Sequence, residues 1–207
     1  MLVETLQENG YDSAALGLSM NYNTSESKAK NTMKNLAHKD LGHNKCLESI
    51  CVWLNIVAPI YFWSEFDTFR IGVTKQSQST MHTFLKKEVT EYEYVFDSVD
   101  QKDIDTLTKI VNKYIKRKNL RGAKQVNPAG FEQRRVVCLN YKVLRNIIMQ
   151  RRDHKLDEWQ YFCKEIYEQA EHSELLPHWD KEKADLLDLT PVELVKKIRI
   201  LEDCLYS

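Results

Sequence analysis

The sequence predicts an α/β (α+β), helix-rich fold, on three observations. Only 6 Gly and 4 Pro occur in 207 residues, too few turn-formers for a sandwich of many short strands. Apolar residues recur at helical spacing through long windows, of which 103–118, 140–151 and 154–171 are the clearest. Strand-like runs are few and short. Hydrophobic residues make up 43% of the chain, enough for a core and too many for wholesale disorder.

Residues 2–23 read as a short strand and a helix, with Asn9-Gly10 as the turn between them. Ser25 or Ser27 caps a second helix over 27–39, with Ala29, Met33, Leu36 and Ala37 on one face. A polar break follows, centred on Gly42-His43. Glu48 to Val57 is rich in Ile, Val, Trp and Leu without clean alternation, so it reads as a strand covered on both faces. Pro59 suits the first turn of a helix running to about Arg70, which the chain leaves at Gly72. Residues 83–96 begin helical and end in an alternating tail, Thr90 to Phe96, that fits an exposed strand. Asp103 to Lys118 is a helix with Ile104, Leu107, Ile110, Val111 and Tyr114 inside, followed by a basic connector to Lys124. Asn127 opens a further helical region. Thr190-Pro-Val-Glu announces a last helix with a capping box. The expected organisation is one domain over 1–180 and a helical extension over 181–207.

The totals also exclude functions. Thirty basic and thirty acidic residues cancel, which argues against a general polyanion binder. No run of eighteen apolar residues exists to span a membrane. The N-terminus lacks the basic and apolar regions of a signal peptide. The 5 Cys are scattered, without CxxC or zinc spacing, so reduced thiols in a cytoplasmic protein are the simplest reading.

The stretch 58–82 runs from aromatic to polar. Tyr61, Phe62, Trp63, Phe66 and Phe69 precede Arg70, Thr74, Gln78, Ser79 and His82. Hydroxyls, amides and a cation behind aromatic support suit a ligand loop that binds phosphate. The alternative is a Ser/Thr/Gln-rich loop that opens a new helix at Ser79. Arg151 lies mid-helix, where its planar guanidinium fits phosphate or a pyrimidine carbonyl; the alternative is a solvated pair with Asp153 or Asp157. Asn140 and Asn146 offer donor and acceptor to a ring edge; the alternatives are a helix cap and an exposed polar site. His43 follows Gly42 in a turn, where a lone His is more often structural.

Three stretches carry a family pattern in order. Gly42-His43 is followed by Leu47-Glu48-Ser49, a strand and Ala58-Pro59-Ile60. The 58–82 stretch comes next. Then Phe131-Glu-Gln-Arg134-Arg135 precedes Asn140-Tyr-Lys142-Val-Leu144-Arg-Asn146, with Arg151, Asp153 and Trp159 beyond. Over roughly residues 12–172 this resembles the flavin-dependent thymidylate synthases. Their Arg-His-Arg-x-x-Ser signature falls on 58–82. Arg70 takes the second Arg of that signature or its His, depending on which end is counted from.

The resemblance implies the family's fold and a methyltransferase: methylation of C5 of dUMP or a related pyrimidine nucleotide. FAD would be the cofactor, with methylenetetrahydrofolate and NADPH as co-substrates, in a cytoplasmic homotetramer. It implies Arg151 as the catalytic residue, with Gln78, Ser79, His82 and Arg134 joining it on the nucleotide. His43, Arg70, Asn140 and Asn146 would face the flavin. The alternative is a catalytically altered homologue that binds a nucleotide or a partner protein without flavin chemistry. Binding to nucleic acid through the basic 115–124 segment is the weakest reading.

Overall fold

The structure, a computed structural model, describes residues 1–39 and 42–183. In chain order its elements are β1 (Leu2–Asn9), α1 (Tyr11–Tyr22), α2 (Glu26–Ala37), β2 (Cys51–Pro59), α3 (Ile60–Phe66), β3 (Val73–Ser77), α4 (Thr80–Thr83), α5 (Gln101–Lys116), α6 (Leu120–Val126), β4 (Glu132–Asn140), α7 (Tyr141–Arg151) and α8 (Asp157–Gln169). Short 3-10 turns occupy Lys45–Ser49, Glu91–Glu93 and Ser173–Leu175. The strands form one antiparallel sheet in the order β1-β2-β4-β3. The α/β (α+β), helix-rich expectation holds.

The sheet has two unlike faces, because successive side chains alternate. Val52, Leu54, Ile56 and Ala58 of β2 and Val137 and Leu139 of β4 are buried under the helices, in the core built around Phe62, Trp63, Trp159 and Phe162. On the opposite face Leu2, Glu4, Trp53, Val57, Arg134, Val136 and Cys138 are half-buried or exposed. Asn55, at the centre of that face, is the exception and is buried. Strand β2 is therefore covered fully on one face and half on the other.

Several elements follow from local chemistry. Gly10 has φ 100°, and a Cβ there would stand 2.2 Å from the Ser49 carbonyl oxygen. Only glycine can make this turn from β1 into α1. Ser25 caps α2, its hydroxyl accepting from Lys28 N–H at 3.4 Å, and Ala29, Met33 and Ala37 line the buried face as expected. The first N–H groups of α3 have no capping side chain. The Ile60 and Tyr61 amides donate instead to the Phe131 and Ala129 carbonyls, at 3.0 and 3.2 Å. Gly10→Ala is expected to cost roughly 1–3 kcal/mol from backbone strain alone, with the Ser49 contact added. Thermal denaturation measures it, and an unchanged melting temperature would contradict the turn.

Some elements differ from the expectation. Helix α3 ends at Phe66, short of Arg70, and Pro59 closes β2 instead of opening the helix. Residues 73–77 form edge strand β3, whose alternate side chains face solvent and make it read as a polar loop. The alternating 90–96 segment forms a 3-10 turn and one bridge, Tyr94 to Phe131, in place of a strand. The basic connector is helix α6, capped by Asn119 accepting from Gly122 N–H. The region opened by Asn127 is strand β4, not helix. Ile110 on α5 is 40% exposed and not inside. Residues 78–131 hold a second small core of Phe84, Val89, Tyr94, Val111, Ile115 and Ala123. The helix expected from Thr190 lies outside the described residues.

Candidate functional site

The aromatic half of 58–82 is a structural anchor. Phe62, Trp63 and Phe66, on one side of α3, are fully buried, with Phe62 4.4 Å from the Trp159 ring. The Trp63 indole donates to the Gln133 carbonyl at 2.9 Å, and the Arg135 guanidinium lies 4.3 Å over its ring. Arg135 also bonds Asp67 at 2.9 Å, and Lys75 reaches the same carboxylate at 2.8 Å. Partial burial pulls the Asp67 pKa up. Hydrogen bonds from Lys75 and Arg135 outweigh it and hold Asp67 below the usual carboxylate range. Lys75 of this segment and Arg135 of β4 are thus both committed to Asp67 inside the chain.

Arg151 ends α7 and stands against the edge of this aromatic cluster. Its guanidinium lies 5.5 Å from the Phe69 ring centre and 5.3 Å from that of Trp159. Its Nε is 3.8 Å from Glu65 Oε2. The same carboxylate oxygen accepts the Trp159 indole N–H at 3.0 Å and faces His154 Nε2 at 3.3 Å. Leu156 N–H donates to His154 Nδ1 at 3.2 Å, so in the neutral ring Nδ1 is the acceptor and the proton sits on Nε2, toward Glu65. One oxygen on α3 therefore gathers donors from α7, from α8 and from the loop between them. Asp153 meets Lys181 at 3.4 Å, and it is Glu65 that faces Arg151.

Arg134 belongs to the other face of the sheet. Its Nε donates to Asn55 Oδ1 at 2.7 Å, and Asn55 Nδ2 donates to Glu4 Oε2 at 2.7 Å, a polar row across three strands. Gln78 is its neighbour through the backbone, N–H to the Arg134 carbonyl at 2.8 Å. Ser79 directly precedes the short α4, and the Ser79, Gln78 and His82 side chains are exposed. Asn140 lies six residues from Arg134, roughly 20 Å along the strand. It takes the capping alternative: its side-chain oxygen accepts from Val143 N–H at 3.0 Å, and Gly72 packs against its amide. Asn146 is exposed on the solvent face of α7, and Arg70 is exposed just beyond Phe69.

His43 is also exposed and lines a groove of about 610 Å³ with Ser13, Gly17, Asn21, Tyr22 and Lys45 among its walls. Its volume and its mix of aromatic, hydroxyl, amide and cationic groups fit a planar heterocycle. Arg70, Asn140 and Asn146 do not line this groove. One chain thus sets six of the predicted residues in three places: Arg151 with Glu65, Phe69, His154 and Trp159; Arg134 with Gln78, Ser79 and His82; and His43 in its groove; among the described residues Arg70, Asn140 and Asn146 make no hydrogen bond or ion pair with these groups. The groups that reading the sequence missed are Glu65, His154 and Asn55. Glu65 carried one signal, a carboxylate inside an otherwise aromatic run.

Burial disfavours the thiolate at three of the described cysteines. Burial pushes the Cys163 thiol up to about 12, leaving it a protonated packing group at neutral pH. Cys46 and Cys138 are likewise raised by burial. Among the described residues no cluster of His, Cys, Asp and Glu has the makings of a metal site, and no helix is long and apolar enough to cross a membrane.

Comparison with known proteins meets this geometry. The family described as thymidylate synthase complementing protein (Thy1) matches residues 3–177. Two structures of ThyX from Helicobacter pylori with FAD and dUMP superpose with TM-scores of 0.73 and 0.71, at 17% and 16% identity. They cover 85% and 84% of this chain and 98% and 95% of theirs. The UMP/dUMP methylase PolB from Streptomyces cacaoi, bound with 5-Br UMP, superposes at 0.61 with 12% identity, covering 89% of this chain and 93% of that one. No curated protein matches the sequence. The fold is that of ThyX, and with the match spanning residues 3–177 the chain belongs to the thymidylate synthase complementing protein family, the flavin-dependent thymidylate synthases.

Proposed function

We propose that the protein binds a pyrimidine nucleoside monophosphate of the dUMP type through Arg151 and methylates its C5. The observation that carries this reading is the placement of Arg151: a guanidinium laid on Trp159 and Phe69, at the end of a helix, 22% exposed and so able to meet a ligand. A flat cation backed by aromatic rings is preorganised for a pyrimidine carbonyl or a phosphate. Arg134, held at Nε by Asn55, would present its remaining N–H groups to the nucleotide beside Gln78, Ser79 and His82. The His43 groove would take the ring of FAD, with Arg70, Asn140 and Asn146 supplied from another copy. When bound there, reduced FAD would supply a hydride, with methylenetetrahydrofolate as the carbon donor and NADPH as the source of reducing equivalents. Because Arg134 points from the sheet face away from the helices and Arg151 ends α7 on the helix side, the complete site would be assembled between copies, as in a homotetramer.

A second reading has an observation of its own. Lys75 and Arg135 are both engaged by Asp67, and Asn140 is spent on a cap. A homologue that holds a nucleotide without flavin chemistry would show this economy of free groups. Colour and melting temperature separate the two. On the first reading the purified protein takes up FAD with the flavin absorbance band. Saturating dUMP, at a hundredfold its Kd, then adds about 2.7 kcal/mol, roughly 5–10 °C in Tm. A dUMP shift without flavin uptake selects the second reading; no shift with either ligand removes both.

A further inference from the structure

We infer that Glu65 is a positioning residue for Arg151. This rests on the nucleotide-binding reading above. Arg151 closes α7 and could swing from its place into solvent. Its Nε is buried without a hydrogen-bond partner of its own. What faces that nitrogen is Glu65 Oε2, at 3.8 Å, close enough for attraction and too far for a hydrogen bond. The carboxylate itself cannot move freely. The Trp159 indole holds it at 3.0 Å, His154 Nε2 stands at 3.3 Å, and its own helix is anchored by Phe62, Trp63 and Phe66 in the core. Trp159 is in turn the ring on which Arg151 lies.

The result is a closed set. Glu65 fixes the indole by a hydrogen bond and the guanidinium by charge, and the indole supports the guanidinium from below. The terminal nitrogens of Arg151 are left for a ligand while its Nε side is tied down. Glu65 thereby reduces the ordering that Arg151 must undergo when a nucleotide arrives. Charge alone predicts the opposite sign. A carboxylate beside a dianion site repels the ligand, and removing it would tighten binding.

Glu65→Gln separates these roles, because the amide oxygen still accepts the Trp159 N–H while the charge is gone. The dUMP Kd is measured by titration calorimetry on the full chain for the unsubstituted protein, E65Q, R151A and the double variant. Positioning predicts that E65Q weakens binding roughly tenfold and has no further effect in the R151A background. Equal weakening in both backgrounds would mean that Glu65 touches the ligand or damages the fold, and would overturn the inference. Unchanged or tighter binding in E65Q overturns it as well. Absence of dUMP binding by the unsubstituted protein removes the nucleotide reading, and the inference falls with it.

Discussion

Arg151→Ala is expected to weaken dUMP binding by roughly ten- to a hundredfold while changing the ligand-free protein little. Hydrogen bonds to a charged group contribute about 1.5–3 kcal/mol, and 1.4 kcal/mol is one decade of affinity. The free protein loses only the stacking on Phe69 and Trp159 and a loose attraction to Glu65. At a partly exposed site those sum to about 1 kcal/mol. The contrast between the two numbers is the test. Titration calorimetry gives the Kd and a melting curve without nucleotide gives the stability. Arg151→Lys refines it, because an ammonium keeps the charge but neither stacks on the indole nor forks to two acceptors. An R151K Kd close to that of R151A would show that planarity matters. An unchanged Kd in R151A would place the nucleotide elsewhere.

The second large effect concerns the support beneath that site. Trp63→Ala should cost roughly 3–5 kcal/mol from the lost ring and its cavity. A domain has only about 5–15 kcal/mol to lose. Trp63 is fully buried among Phe62, Phe66 and the sheet, its N–H held by Gln133. Without the ring, Arg135 also loses its platform, and the Asp67–Lys75–Arg135 bridge tying α3 to β3 and β4 loses its geometry. Trp63→Phe keeps most of the apolar area and removes one hydrogen bond to the Gln133 carbonyl, a loss of about 0.5–1.5 kcal/mol. Denaturant unfolding of both variants checks the ranking. A Trp63→Ala variant as stable as Trp63→Phe would show that α3 is not anchored through this ring.

How far the fold could be read from residues follows from these same contacts. Gly10, Ser25 and the apolar stripes of α7 and α8 act within one or two turns of chain, so they are visible in the sequence. Strands β3 and β4 are not. Val73 to Ser77 pairs only at one edge and turns Thr74 and Gln76 to solvent, so nothing apolar marks it. In β4 the core-facing row is Arg135, Val137 and Leu139, and a charged residue at its head breaks the alternation that signals a strand. Arg135 is tolerated there because Trp63 and Asp67 satisfy it, and both lie far away along the chain. Arg151 could be singled out because its type and its place on a helix suggest a ligand. Glu65 shows only as a carboxylate within an aromatic run, since its meaning comes from partners on three other segments. Asn140 shows the reverse: a residue suited to a ring edge is drawn into capping the helix it precedes.

The core in residues 78–131 bears on how the molecule breathes. Strands β3 and β4 are hydrogen-bonded neighbours, yet this whole segment is inserted between them. Its own apolar cluster gives it the makings of a separate cooperative unit. Should that unit melt, β3 would keep its ladder but lose the short closure that normally makes a hairpin tight. The edge of the sheet would then be tethered by a long flexible loop, whose closure entropy rises only slowly with length. Amide hydrogens in α5 and α6 would exchange with solvent before those of β2 and β4, and the strand beside Gln78 and Ser79 would register that opening first.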